Sequence, residues 1–310
     1  MRSRSFAVLT LACFVLLLGV RFGLATLVTR AIAAVVVPPV ESGMVLPPKP
    51  DGAAPPKSAG NGDGDSVLTP ALCTAMAENI RDHCWQALAR QQGAADPHGA
   101  LAICENIGDS ELALECHADV AETIALVDRA TGEAICAGID SIKWRGQCAF
   151  GMGLALAETD PAYATGRCDQ AEAFKLFCRH DVNGEVALVN LDAAVAFCAR
   201  EEGDELQRKT CWHGIGKYLA RRNLDEAAAA CAKATPQWVG TCMHGAGWGA
   251  AERSADEALA GCTSMGAFAD HCRQGVAHEL KRGDPERAVA LCQSIATPTI
   301  QARCLAFVTR

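Results

Sequence analysis

From about residue 69 to the end of the chain, apolar residues recur in a helical rhythm that restarts every 30 to 33 positions, and cysteines mark the beat. Sixteen of the 17 cysteines fall as Cys73/Cys84, Cys104/Cys116, Cys136/Cys148, Cys168/Cys178, Cys198/Cys211, Cys231/Cys242, Cys262/Cys272 and Cys292/Cys304. Spacing within a pair varies from 10 to 13, but the second cysteine of each pair precedes the first of the next by 20 in all seven cases. Four residues before the second cysteine stand Ile80, Leu112, Trp144, Phe174, Gln207, Trp238, Phe268 and Ile300; four after it stand Leu88, Val120, Met152, Val182, Ile215, Ala246, Val276 and Val308. Positions i−4, i and i+4 share one face of a helix, so the second cysteine is predicted in the middle of a core-facing stripe on a helix B. Four residues before the first cysteine, Ala100, Ala164, Ala194, Ala227, Ala258 and Ala288 predict a closely packed helix A. A unit of this length is one αα-hairpin, which buries its apolar face only by stacking on its neighbours. The pattern therefore predicts an all-α fold: a right-handed-type αα-hairpin solenoid of eight repeats, roughly 31 residues each, over residues 69–310.

Helix starts fit the same register. Asp192, Asp225 and Asp256 each precede their first cysteine by six and are predicted to cap helix A; Asp96-Pro97, Asp160-Pro161 and Asp284-Pro285 place proline near the first turn. Length changes fall only between paired cysteines, so insertions map to the loop between helices A and B, an edge where specificity commonly varies. Glu201 and Glu202 lie in the longest of these loops and are expected to be solvated.

The N-terminal 37 residues differ in kind. Arg2 and Arg4 precede the apolar run Phe6 to Val20, which Arg21 closes, a pattern that suits an export signal. Cleavage after Ala25 or Ala33 would release it; retention through Val37 would leave a signal-anchor helix with the rest of the chain outside the cytoplasm. Cys13 sits within this run and reads as a small buried hydrophobe, not as a lipid-bearing cysteine. Residues 38–68, rich in Pro, Gly and Ala, are expected to form a flexible linker. The chain carries a net charge of −8, and residues 66–310, with 22 Lys/Arg against 32 Asp/Glu, carry −10. No basic stripe follows Arg30, which excludes nucleic acid as the expected partner.

Paired cysteines in an exported chain point to disulfides. Pairing within each hairpin uses all sixteen; pairing each helix B to the next helix A would exploit the fixed spacing of 20 but strand Cys73 and Cys304. The competing reading, a thiolate copper or zinc protein, has to contend with the absence of any C-x-C, C-x2-C or C-x3-C spacing.

Other candidates are few. His180, His213 and His244 each follow the second cysteine by two, and Gln86 and Gln274 hold that place elsewhere. Such a ladder invites pH sensing or metal ligation. Packed helices, however, stand roughly 10 Å apart, too far for ligands of one ion, so a polar edge column of structural hydrogen bonds is expected. His83, His117 and His271 flank cysteines without common register. The runs Cys148-Ala-Phe-Gly-Met-Gly, Cys211-Trp-His-Gly-Ile-Gly and Cys242-Met-His-Gly-Ala-Gly superficially resemble phosphate-binding loops, but they follow no strand and recur at one point of helix B, which predicts close helix approach. Trp85, Trp212 and Trp248 are expected in the core. No G-x-S-x-G, H-E-x-x-H, Walker or S-x-x-K motif is present, and no cofactor or metal site is expected.

In organisation, the cysteine-paired αα period over Thr69 to Arg310 resembles tetratricopeptide-type solenoids, most closely the cysteine-rich Sel1-like repeat proteins of bacteria. The consensus residues of neither family are matched, so no functional residue carries over. Some Sel1-like members have been linked to β-lactam binding or hydrolysis. The resemblance implies a disulfide within each hairpin and a secreted or envelope scaffold that binds proteins or cell-wall material. The expected function is accordingly a non-catalytic interaction module in the cell envelope, membrane-anchored and facing the periplasm, or secreted. Metal handling and an envelope enzyme with a site assembled across repeats are the alternatives. The last helix B stops soon after Cys304, leaving Leu305, Phe307 and Val308 as an expected apolar end for self-association.

Overall fold

The structure, a computed structural model, describes residues 68–200 and 204–310. The N-terminal segment with Cys13, the linker up to Val67, and Glu201 and Glu202 lie outside them. Every regular element among the described residues is helical. In chain order these are α1 (Pro70–Ala75), α2 (Glu78–Gly93), α3 (Pro97–Cys104), α4 (Ser110–Ala125), α5 (Arg129–Gly138), α6 (Ile142–Leu156), α7 (Pro161–Arg167), α8 (Lys175–Phe177), α9 (Asn183–Val189), α10 (Leu191–Cys198), α11 (Glu205–Arg222), α12 (Leu224–Cys231), α13 (Pro236–Ala251), α14 (Ala255–Cys262), α15 (Ala269–Leu280), α16 (Pro285–Gln293) and α17 (Pro298–Val308). Short helices A alternate with longer helices B, a repeat-like succession. Each helix B packs on its own helix A and on the helices B before and after it. None of the described helices is long and apolar enough to cross a membrane.

The helix A starts are capped one after another. Asp96, Asp128, Asp160, Asn190, Asn223, Ser254 and Asp284 each accept a hydrogen bond from the backbone N–H three residues on, at 2.9–3.3 Å. All seven stand eight residues before their first cysteine. The expectation for Asp192, Asp225 and Asp256 is thus corrected by two positions: the caps are Asn190, Asn223 and Ser254. The three aspartates lie in the first turn, where a carboxylate is favoured by the helix dipole. Proline follows the cap at Pro97, Pro161 and Pro285.

All sixteen cysteines of the described residues are joined within their own hairpins. The disulfides are Cys73–Cys84, Cys104–Cys116, Cys136–Cys148, Cys168–Cys178, Cys198–Cys211, Cys231–Cys242, Cys262–Cys272 and Cys292–Cys304, with Cα–Cα distances of 5.2–5.7 Å. The other connectivity, which would join Cys84 to Cys104, Cys116 to Cys136 and so on along the chain, is thereby set aside: Cys84 is held by Cys73 and Cys116 by Cys104. The physical reason is that the two helices of one hairpin bring their cysteines within bonding reach. The cysteines sit between helices A and B and are buried throughout; Cys84, at 6%, is the most exposed of them, and Cys116 is at 0%.

The column four after the second cysteine, from Leu88 to Val308, is buried in every hairpin; that four before it is looser, with Ile80 half exposed. Along the alanine column, 0–1% of each residue is exposed. Helix A thereby lies flat on its neighbours and contributes little core volume of its own, so a cross-link holds what apolar area alone holds weakly. At the C-terminal end Val308 is buried, while Leu305 and Phe307 are half-buried.

Two hairpins depart from the rule. In the fourth, where the cysteines are ten apart, the link runs through short 3-10 turns with Glu172 at positive φ, and helix B opens into a π-helical turn over Cys178–Val182. In the seventh, Gly266 takes φ 53°, a conformation glycine reaches without Cβ strain.

The glycines of helices B decide how near those helices come. A Cβ on Gly214 would overlap the carbonyl oxygen of His180; on Gly245, that of His213; on Gly275, that of His244. Reciprocally, a Cβ on Gly216 would strike the Cys242 carbonyl, and one on Gly247 the Cys272 carbonyl. From the fourth hairpin to the seventh, helices B touch backbone to backbone. Gly245→Ala is therefore expected to lower stability by at least about 2 kcal/mol, whereas Gly166→Ala, with open space around it, should raise it by up to about 1 kcal/mol. Replacing Cys231 and Cys242 together by alanine should cost up to about 3 kcal/mol; denaturant unfolding of the oxidised proteins measures all three.

Candidate functional site: a hydrogen-bonded histidine array

The three histidines that share a register do not stand a helix diameter apart. His180 Nε2 lies 2.9 Å from His213 Nδ1, and His213 Nε2 lies 3.0 Å from His244 Nδ1. The expected spacing of about 10 Å assumes ordinary side chains at the helix contact. Here Gly214 and Gly245 occupy the position directly after His213 and His244, so the backbones close up and the rings meet. Ring centroids are 5.0 Å apart at both steps.

A fourth ring extends the series. His244 Nε2 lies 2.9 Å from Nδ1 of His278. His278 is out of register: Gln274 holds the ladder position in the seventh hairpin, and His278 follows it by four, one helical turn later on the same face. The sequence signal was there in that i+4 relation, but a search confined to one column passes over it.

Both ends are defined. At one, His180 Nδ1 lies 2.5 Å from Asp181 Oδ1, and the Tyr218 hydroxyl donates to the same oxygen at 3.0 Å. Adjacent residues on an α-helix do not face each other; His180 and Asp181 both lie in the π turn over Cys178–Val182. At the other end His278 is 8% exposed and packs on Phe307, with ring centroids 3.9 Å apart. Its Nε2 is buried without a hydrogen-bond partner. Trp248 makes T-shaped contacts with the rings of His213, His244 and His278 at 5.8–6.0 Å between centroids, and its Nε1–H donates to Glu279 at 2.6 Å. Trp248 therefore belongs to this array, in contrast to Trp85 and Trp212, which are core residues. Around it, Lys217 and Arg221 pair with Glu252, Lys217 also lies over the Trp248 ring, and Arg221 over that of Tyr218.

Proton positions follow from this chain of contacts. Burial raises the Asp181 carboxyl, but the hydrogen bonds from His180 and Tyr218 outweigh it and hold the group below the usual carboxylate range. As a carboxylate it only accepts, so His180 Nδ1 carries the hydrogen; in the neutral ring Nε2 is then bare and accepts from His213 Nδ1–H. The same assignment repeats through His244 to His278. Burial, then repulsion from neighbouring rings, pushes His213 and His244 well below the usual imidazole range. Burial and Lys281 bring His278 down to about 4.

The remaining candidates stay apart. Gln86, two residues after Cys84, donates at 2.9 Å to Asp119, three residues after Cys116 in the next hairpin, a cross-repeat bond like those of the histidines. His117 lies 3.6 Å from Glu105, and His271 fills the room left by Gly240. A shallow cavity of about 380 Å³ lies away from the histidines, lined by Glu133, Arg145, Arg167 and Glu172, whose charges oppose one another. Among the described residues no group of three or more His, Cys, Asp or Glu is placed to hold a metal ion. The ladder is linear, and metal ligands must converge. Comparison with protein-family models, curated proteins and solved structures gives no match for this chain.

Because the folded protein holds His213, His244 and His278 neutral, the unfolded chain binds protons that the folded one does not between about pH 6.5 and pH 4. Stability contributed by the array is full above that window and is lost as pH falls through it. Asp119 and Glu122, raised by burial, act with the opposite sign. The difference between the parent and a His213→Gln/His244→Gln variant isolates the array: urea unfolding at stepped pH should show the parent's stability falling more steeply below about pH 6.5.

Proposed function

We propose that the chain is an αα solenoid of eight disulfide-stapled repeats serving as a non-catalytic interaction scaffold in the cell envelope, for a protein or cell-wall partner. The observation that carries this reading is the pairing of all sixteen cysteines of residues 69–310 within hairpins. Such a set forms and persists in an oxidising compartment, in accord with the export signal read from Arg2, Arg4 and the apolar run after them. In that state no thiolate is left among the described residues to bind copper or zinc, which weighs against metal handling.

Exposed large apolar side chains stand at both edges: Leu126, Val127 and Val189 where a helix B passes to the next helix A, and Ile80, Ile142, Phe177 and Leu206 in or just before the first turn of a helix B; the second set is taken as the contact edge. These four line the A/B loop edge, where hairpin lengths vary. A frame cross-linked at every hairpin presents such side chains with little ordering entropy left to lose on binding.

The test is made on the exported chain in intact cells. Alkylation before and after reduction should reveal sixteen protected cysteines, and a photoreactive residue at position 142, 177 or 206 should give cross-linked adducts of discrete mass. Sixteen freely alkylated thiols, or adducts from none of the three edge positions, would overturn the reading.

A further inference from the structure

We propose that His180, His213, His244 and His278 form a directional proton relay, which takes one proton at His278 Nε2 and delivers its charge to His180 beside the Asp181 carboxylate. Lone-pair occupancy along the array decides where a proton can enter. With all four rings neutral and Asp181 a carboxylate, the four Nδ1 atoms carry hydrogen: that of His180 is directed at Asp181, and those of His213, His244 and His278 at the Nε2 of the preceding ring, 2.9–3.0 Å away. Three Nε2 lone pairs are thereby occupied. The fourth, on His278, is the one place in the array where a proton can bind, and it is buried without a partner.

A proton from hydronium that binds there makes His278 a cation. Its Nδ1 proton then crosses to His244 Nε2, the Nδ1 proton of His244 crosses to His213 Nε2, and that of His213 to His180 Nε2. One N–H bond breaks for each that forms, and no electron is transferred. The first three rings are left neutral with hydrogen on Nε2, and His180 is left as an imidazolium against Asp181. The charge has moved from the seventh hairpin to the fourth without any ring leaving its place.

The surroundings favour that direction. Facing the receiving end are Asp181, Tyr218 and, through Tyr218, Glu185 and Arg221, with Lys217 also acting on Asp181. Facing the middle are Lys217 and Lys209 from α11, Glu252 from α13, His271 from α15 and Arg303 from α17. Lys281 stands by His278, with Glu279 held by Trp248 and Arg282. The Asp181 carboxylate touches the ring at the receiving end, whereas Lys281 acts on the ring at the uptake end, and this pair of charges sets the direction. Phe307, packed against His278 at a tilt, covers the point of uptake, and Lys281 holds it by donating to the Phe307 carbonyl at 2.9 Å.

Nitrogen-15 NMR of the histidine-labelled, oxidised full chain, taken from about pH 8 to about pH 4, tests this. At the high end all four rings are expected with hydrogen on Nδ1 and bare Nε2, coupled in series through their N–H···N bonds. On acidification the four should change tautomer or charge along one common curve that accounts for a single proton. A ring of the four carrying its hydrogen on Nε2 at pH 8, or four unrelated midpoints, would overturn the proposal. Two variants keep it testable if acid unfolds the parent. His278→Leu should make His244 the free end and leave three rings titrating together, whereas three independent titrations would refute the relay. Phe307→Ala should speed solvent exchange of the Nδ1 hydrogens with the tautomers unchanged; an unchanged exchange rate would refute uptake at His278.

Discussion

Backbone contact between successive helices B is the constraint from which the rest of this structure follows. Where Gly214, Gly216, Gly245, Gly247 and Gly275 stand, the neighbouring helix places a carbonyl oxygen in the space a side chain would fill. Contact at that range removes the side-chain layer that normally separates helices and sets the axis spacing. Two results come from it. The B layer is dense with little large apolar content, since alanine and glycine suffice where backbones touch. Polar side chains beside the contact are also drawn within bonding range of their counterparts in the next hairpin.

The disulfides complement this contact. Glycine in a helix costs about 1 kcal/mol relative to alanine, and this fold places several in one helix: α13 alone carries Gly240, Gly245, Gly247 and Gly249. The unfolded chain is correspondingly freer, so more entropy is lost on folding. A cross-link in every hairpin, from Cys73–Cys84 to Cys292–Cys304, restricts that freedom where it is greatest. Each helix A, with its alanine face at 0–1% exposure, is fixed to its helix B covalently as well as by packing. Capping adds a further local term at the helix A starts from the second hairpin to the eighth, through Asp, Asn or Ser at one constant position.

The histidine array is a consequence of the same geometry, with a cost that explains its form. Four imidazoles in a half-buried column are tolerable when neutral and mutually bonded, since each nitrogen that loses water gains a ring or carboxylate partner. The exception, Nε2 of His278, marks the end of the series. The π turn that carries both His180 and Asp181 marks the other end, and irregular helix geometry of this type often accompanies function. Lys217, Arg221, Glu252 and Trp248 enclose the column from the free side of helices B, so that the array is shielded without being sealed.

Much of this was legible in the linear sequence. The constant spacing of 20, the apolar stripe around each second cysteine and the alanine column specify alternating helices, because helical periodicity is local and survives in any context. The glycines announced close approach for the same reason. The site was not legible to the same degree. The ladder position of His180, His213 and His244 could be read, but their contact could not, since the distance between two side chains on different helices depends on what lies between the helices. His278 sits one turn off the column and joins only because a helix turn carries it back to the same face. The caps were misplaced by two residues because Asp192, Asp225 and Asp256 are as competent chemically as Asn190, Asn223 and Ser254, and the backbone path alone chooses between them. The sequence by itself determined the helices, their order and the cysteines that link them. Only the tertiary structure decided that Cys84 turns back to Cys73 and Cys116 to Cys104 instead of reaching forward, how near helices B approach, and hence that four histidines form one hydrogen-bonded chain. Each of these depends on distances across the stack that no local pattern contains.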